Sequence, residues 1–459
     1  MEFAVLVSIH RLIVFLKLVL HSLALLLCYA AIHLIRVYWA LLHIPGPFWA
    51  RFTNLQRVSW VTNGRAHEIQ QSMHKKYGEV VRFGPNMVSL SIPAGIPIVY
   101  PTRMGVPKAP WTKNGALPAV FSSRDEKVHK SLRSPIAGLY STSKVLSLEV
   151  FIDRTLDVVT EQIDKRFVKS QETFDLASWL QYFAYGFLEQ EKDVGGMLNA
   201  VWTFLKGAAP FTQIPWLDEV WNKNAIVTMF QGATGLSLMG IVAKFVAKRQ
   251  EAQRVGPTED GGNGDMLSSF MEIQANHSLP PWFINAWTFS NITAGSDSVA
   301  VVMRTNELVQ ADKANAFNKP YPSWKDVCDL PYLDTCNLEA LRVHLPFCLP
   351  FERIVARGGM MIGGDYFAEG TVIGLNPYVV NRHKPTFGED TGLWNPDRWM
   401  VPKELKAKRE AAVLTFGAGR RLKKIVPALV LHYDVNSQSR TTGFFRQYGM
   451  DVTVKKRAA

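Results

Sequence analysis

Glu339-Ala340-Leu341-Arg342 opens the part of the sequence that decides the fold. Two further segments follow it: Trp394-Asn395-Pro396-Asp397-Arg398-Trp399, then Leu414-Thr415-Phe416-Gly417-Ala418-Gly419-Arg420-Arg421. Glu339 and Arg342 lie on a helix expected to begin after Pro331, and their three-residue spacing puts carboxylate and guanidinium on neighbouring positions of one face. Alone, such a pair reads as a solvated surface contact. An arginine between two tryptophans, followed by an aromatic, glycine-rich loop ahead of a helical run, turns the pair into one member of an ordered set.

Working outward, helix-period segments dominate the middle of the chain: 126–140, 144–168, 195–205, 224–250, 281–310 and 333–344, each with apolar residues three or four apart. The stretch from Glu79 to Val99 alternates apolar and polar residues between Gly and Pro, as short strands do, and Arg353 to Leu375 returns to that pattern around two Gly-Gly pairs. The fold class expected is mainly α with small β-sheets, with no internal repeat.

At the N-terminus, Leu12 to Ile35 is apolar except for Lys17, His21, Ser22 and His33, and its 24 residues reach about 36 Å as a helix, enough for a bilayer. It reads as one transmembrane helix; a cleaved signal peptide and a buried core helix are the alternatives. Ile44-Pro45-Gly46-Pro47 breaks the helix, and Arg36, Arg51, Arg57 and Arg65 fit a cytoplasmic body. The division expected is 1–36 membrane anchor, 37–50 proline-rich hinge and 51–459 globular domain.

The 459 residues carry 51 Lys+Arg against 39 Asp+Glu, a net charge of +12, with 47% hydrophobic residues, so a disordered or acidic solvating chain is excluded. The basic excess is scattered and forms no nucleic-acid motif, so the partners expected are a membrane or an acidic protein, with no nucleic acid. Four cysteines, at 28, 328, 336 and 348, make neither a disulfide scaffold nor a paired zinc spacing.

Taken with the anchor, the proline hinge and Ala294-Gly295-Ser296-Asp297-Ser298 in a helix, these motifs resemble the cytochromes P450, the haem-thiolate monooxygenases. In particular they resemble fungal microsomal members such as the pisatin demethylase group. PDRW stands in place of the usual PERF, and the resemblance covers nearly the whole chain. It implies the cytochrome P450 fold, haem as cofactor, and NADPH used indirectly through an NADPH–cytochrome reductase-type flavoprotein. It also implies a lipophilic small-molecule substrate, here a secondary metabolite, and a single-pass location in the endoplasmic reticulum with the catalytic domain in the cytoplasm.

The resemblance further implies residue roles. Glu339, Arg342 and Arg398 form a buried structural triad; His129, Arg133, Arg353 and Arg421 face the haem propionates; Phe416 and Gly419 shape the haem loop. Asp297 and Ser298 pass protons to iron-bound dioxygen, with serine where threonine is more usual. The basic residues Lys403, Lys406, Lys408, Arg409, Arg420, Arg421, Lys423 and Lys424 surround the face where an acidic reductase docks.

The chain departs from the family at one decisive point. Registering the F-x-x-G-x-R-x-C-x-G loop on Phe416, Gly419 and Arg421 puts Lys423 where the cysteine ligand belongs, with Ile425 in place of the closing glycine. A thiolate pushes electron density through the iron to cleave O–O; a lysine amine, with a pKa near 10.4, is protonated at neutral pH. A segment therefore reads as deleted after Arg421, and the intervals around 185–191 and 304–339 are short as well. The alternative function is a catalytically inactive, membrane-bound P450-like protein, as a splice variant or pseudoenzyme would be.

Overall fold

The computed structural model describes mainly residues 2–101, 125–168, 196–217, 234–255, 265–292, 330–345, 347–415, 433–441 and 447–456, with isolated positions between them. It is mostly helical, with three small sheets.

The first helix runs Glu2–Ala40, and its stretch Leu12–Ala40 is long and apolar enough to cross a bilayer, with none of its apolar window buried inside the protein. This one N-terminal apolar helix fits a single-pass membrane anchor. Beyond it, Leu41 and Ile44 turn inward and pack in the core of the globular body.

That core lies on a four-stranded sheet in the order β1-β2-β7-β4. β1 (Val80–Gly84) and β2 (Met87–Leu90) form an antiparallel hairpin with an irregularity between Arg82 and Gly84. β7 (Val372–Leu375) joins β2 in parallel, Val88 opposite Ile373, and β4 (Phe351–Ile354) joins β7 antiparallel, Arg353 opposite Ile373. β5 (Met360–Ile362) and β6 (Asp365–Phe367) make a separate hairpin, and β3 (Phe174–Asp175), β9 (Gln447–Lys456) and β8 (Tyr433–Thr441) the third sheet. The alternation read from the sequence around 79–99 and 353–375 corresponds to these strands. Val88, Leu90, Ile373 and Leu375 are buried with Val99, Tyr100 and Leu414, which brings segments more than 250 residues apart onto one core.

A second core gathers Leu132, Val242, Val246, Phe270, Phe283 and Trp287 from the helices Glu126–Arg133, Thr234–Val255, Met266–Asn276 and 282–292. Trp287 Nε1 donates to the Leu132 carbonyl at 2.8 Å, tying the last of these helices to the first.

Helix boundaries differ from the periodicity in instructive places. The expected helix 126–140 stops at Arg133 and resumes as a 3-10 turn, Ala137–Tyr140, because Pro135 has no amide to give to the preceding turn. The expected 144–168 is divided into Thr142–Ser147 and Glu149–Ile163, ending in a π turn, Asp164–Val168. The helix expected over 195–205 runs on to Phe211. Of 281–310, only 281–292 is described.

Candidate functional site

The helix Pro331–Val343 carries Glu339 and Arg342 on its inner face, both with side chains 0% exposed. Arg342 donates to Glu339 through Nε (2.8 Å) and Nη2 (2.7 Å) in a two-pronged pair, and its remaining N–H groups reach the carbonyls of Asn381, Thr391 and Leu393 at 2.8–3.0 Å. The Glu339 carboxylate also accepts from the Asn395 amide (3.0 Å), Arg398 Nε (3.3 Å) and Trp399 Nε1 (2.9 Å). Arg398 goes on to Asp390 Oδ1 at 2.8 Å and to the Phe387 carbonyl. Sequence segments about 50–60 positions apart thus meet at one carboxylate, which survives burial because every charge has a counter-charge and every donor an acceptor.

Burial works to raise the Glu339 pKa, but the bonds and charge of Arg342, the Asn395 amide and the Arg398 charge outweigh it, and the net shift is downward. Asp390, bonded first by Arg398 and then by Asn395, falls to about 2. Both stay ionised through the physiological range.

This network is latched to the strand of residues entering the glycine-rich loop. Asn381, wholly buried, accepts from the Leu414 amide (2.8 Å) and donates to Thr415 Oγ1 (3.0 Å) and to the Arg342 carbonyl (3.3 Å). Thr415 Oγ1 in turn donates to the Leu341 carbonyl at 2.5 Å. Asn381, Asp390 and the Trp399 indole are contributors that the motif reading missed. Trp399 was inside a flagged segment, whereas Asn381 and Asp390 sit in stretches with no spacing signal.

Arg353 stands on β4 with its guanidinium over the ring of Tyr100, 5.0 Å from the centroid, and Nη1 donating to the Glu352 carbonyl at 3.1 Å. Among the described residues no carboxylate pairs with it, and burial pulls its pKa down, opposed by Tyr100. Tyr100 is fixed across two strands: its hydroxyl donates to the Phe351 carbonyl (2.6 Å) and accepts the Leu375 amide (2.9 Å). The neighbouring Glu352 is neutralised by Arg57 at 2.5 Å, with burial pushing its pKa up against that charge. His129 and Arg133 lie on a different element, the helix Glu126–Arg133, one turn apart; Arg133 is exposed, and Asp125 caps the helix by accepting from the Lys127 and Val128 amides. Asp297, Ser298, Phe416, Gly419, Arg421 and Lys423 lie outside the described residues.

In the basic helix Lys403–Ala412, Lys406 is held by Asp334 at 2.8 Å, and Arg409 donates to the Thr386 and Arg398 carbonyls, while Lys403 and Lys408 are exposed.

Comparison with known proteins settles the class. A family model described as Cytochrome P450 matches residues 305–422. The chain is 62% identical over 483 residues to cytochrome P450 monooxygenase pkfB of Emericella nidulans, covering 94% of each protein. It is 49% identical over 489 residues to cytochrome P450 monooxygenase asR2 of Sarocladium schorii, covering 93% of this chain and 94% of that one. The chain belongs to the cytochrome P450 family, and is an oxidoreductase of the monooxygenase type. Haem iron is the cofactor of that family, with electrons supplied from NADPH through a reductase, and its substrates are small molecules.

The same comparisons locate a shortfall. Of the 483 positions aligned with pkfB, this chain fills about 431, which is 94% of 459, leaving about 52 positions with no residue opposite them. The family match stops at Leu422, immediately before Lys423.

The residues present fit one side of a haem. The half-buried Arg353, lacking a carboxylate partner among the described residues, is the kind of cation a propionate satisfies. Among the described residues the iron side does not fit, and Cys328 lies outside them. Burial pushes Cys336 and Cys348 up to about 12, so neither is a thiolate, and Cys28 sits in the anchor helix.

Proposed function

We propose that this protein is a membrane-anchored monooxygenase of the endoplasmic reticulum that oxidises a lipophilic secondary metabolite with O2 and reductase-supplied electrons. Residues 1–36 anchor it, 37–50 join anchor to body, and 51–459 form a cytoplasmic haem domain with internal deletions. The observation that carries this reading is the closed Glu339–Arg342–Arg398 network within a chain 62% identical to a cytochrome P450 monooxygenase.

In this reading His129, Arg133, Arg353 and Arg421 hold the propionates, Phe416 and Gly419 shape the loop beneath the ring, and Asp297 with Ser298 supplies protons. Lys403 and Lys408, exposed on their helix, offer the acidic reductase a docking face, while Lys406 and Arg409 serve the fold.

Lys423 is the observation on the side of the alternative, a catalytically inactive membrane-bound P450-like protein, while the 62% identity to a monooxygenase weighs against it. Reduced, CO-treated protein separates the two: a Soret band shifted far to the red marks a thiolate ligand and active monooxygenase chemistry, and an unshifted band marks the inactive form. Sequencing the transcript across the codons for Arg421 and Leu422 then shows whether an exon is missing.

A further inference from the structure

The end of the anchor helix is built into the globular body. An α-helix leaves its last carbonyls without partners, and here a single buried side chain from β1 takes them. Arg82 donates through Nη2 to the Val37 carbonyl (3.2 Å) and through Nη1 to those of Tyr38 (3.2 Å) and Leu41 (3.1 Å). The same guanidinium binds the Pro85 carbonyl at 2.7 Å, holding its own hairpin turn. Its backbone amide donates to the Pro45 carbonyl at 2.8 Å, and a side chain on Gly46 would overlap the Arg82 carbonyl. Helix end, proline segment and first strand are therefore one unit, and its rotation would strand a buried guanidinium without acceptors.

Beside this joint lies a collar of rings. Tyr38 stacks on Phe52 at 5.7 Å, Phe52 meets Phe48 at 5.3 Å, and Phe48 meets Trp49 at 5.3 Å. Trp39 and Trp49 are 65% exposed, Phe48 63% and Phe52 45%. So much contiguous aromatic surface is unfavourable in water. Its position, continuous with the C-terminal end of the apolar span, is where tryptophans settle between headgroups and acyl chains.

We propose that Trp39, Phe48, Trp49 and Phe52 lie in the interfacial layer of a phospholipid membrane, and that Arg82 caps the anchor helix to hold the globular body at one tilt on that surface. The proposal rests on the reading of Leu12–Ala40 as a membrane anchor.

The test uses the full chain in bilayer discs of phosphatidylcholine and phosphatidylserine, with Cys28→Ser and Cys328→Ser as background. With Cys348→Ser added to that background, single nitroxide labels are placed through Leu25→Cys, Trp49→Cys, Phe52→Cys and Lys408→Cys, and each is challenged with oxygen and with a water-soluble nickel complex. Oxygen is expected to dominate at 25, 49 and 52, and nickel at 408. Labels at 49 and 52 that behave like 408 while 25 stays apolar overturn the collar and leave the anchor standing, as they would if a protein partner covered the rings. A water-exposed label at 25 overturns the anchor reading itself. For the cap, the distance distribution between labels at 25 and 408 is expected to be narrow in the otherwise native chain and to broaden with Arg82→Lys, since the three N–H donors of one ammonium cannot replace the two guanidinium nitrogens that hold four carbonyls. A broad distribution before that substitution, which needs no folded variant, or an unchanged width after it, overturns the cap.

Discussion

The helix Pro331–Val343 and the stretch after Leu422 differ in how far they follow the family pattern: the first carries the Glu339–Arg342 pair, and the second departs from the expected haem loop. Glu339, Arg342, Arg398, Asp390, Asn381 and Thr415 are joined by hydrogen bonds of 2.5–3.3 Å, and the two arginines are matched by two carboxylates. Eight residues beyond Thr415 stands Lys423, where the family resemblance leads one to expect the cysteine ligand. The contrast teaches that scaffold and chemistry are physically separable in this fold.

Breaking the scaffold side has the largest expected effect. Arg342→Leu leaves Glu339 buried without its main counter-charge and should cost about 3–5 kcal/mol, enough to prevent recovery of folded protein, read by thermal unfolding and the soluble yield in detergent. Asn381→Ala leaves the Leu414 amide and Arg342 carbonyl without that partner and should cost about 1–3 kcal/mol, lowering the melting temperature without abolishing the fold. If either variant melts like the parent, the network is not what holds the loop entrance.

A smaller effect sharpens the comparison through pH. His74, held between the Gly78 carbonyl and Ser89, and His344, at the end of the Glu339 helix, are both lowered from 6.5 to about 4, first by burial. Between those values the unfolded chain binds protons that the native chain does not, so stability is complete above pH 6.5 and declines as pH falls towards 4. The Glu339 carboxylate, shifted down, is unaffected over that window. Denaturation midpoints at pH 7 and pH 5 should therefore differ, and His74→Gln should reduce the difference; equal midpoints would show that these histidines are not kept neutral by the fold.

The scaffold was legible where contacts are local or repeat a known spacing. Glu339 and Arg342 are three residues apart on one helix, and the strands around β1, β2 and β7 show their alternation directly. What escaped is what depends on distant segments. Arg82 reads as a strand residue between two valines and a phenylalanine, and its acceptors on the anchor lie 41–45 positions away. Glu352 looks like an exposed acid next to Arg353 until Arg57, 295 positions earlier, is brought against it. Asn381 has no apolar period or motif to mark it, since its role is set by two backbone groups, the Leu414 amide and the Arg342 carbonyl, and by the Thr415 hydroxyl, all from other segments. Proline accounts for the helix ending at Arg133, a local rule that periodicity alone overlooks.

We propose that the polypeptide takes up haem through cations such as Arg353, despite the lysine at 423, and titrating hemin into the purified full chain in bilayer discs tests this directly. A saturable Soret band at one haem per chain is expected, with affinity weakened by Arg353→Leu; a preparation that stays colourless, or binds hemin without saturation and equally well after that substitution, would contradict it.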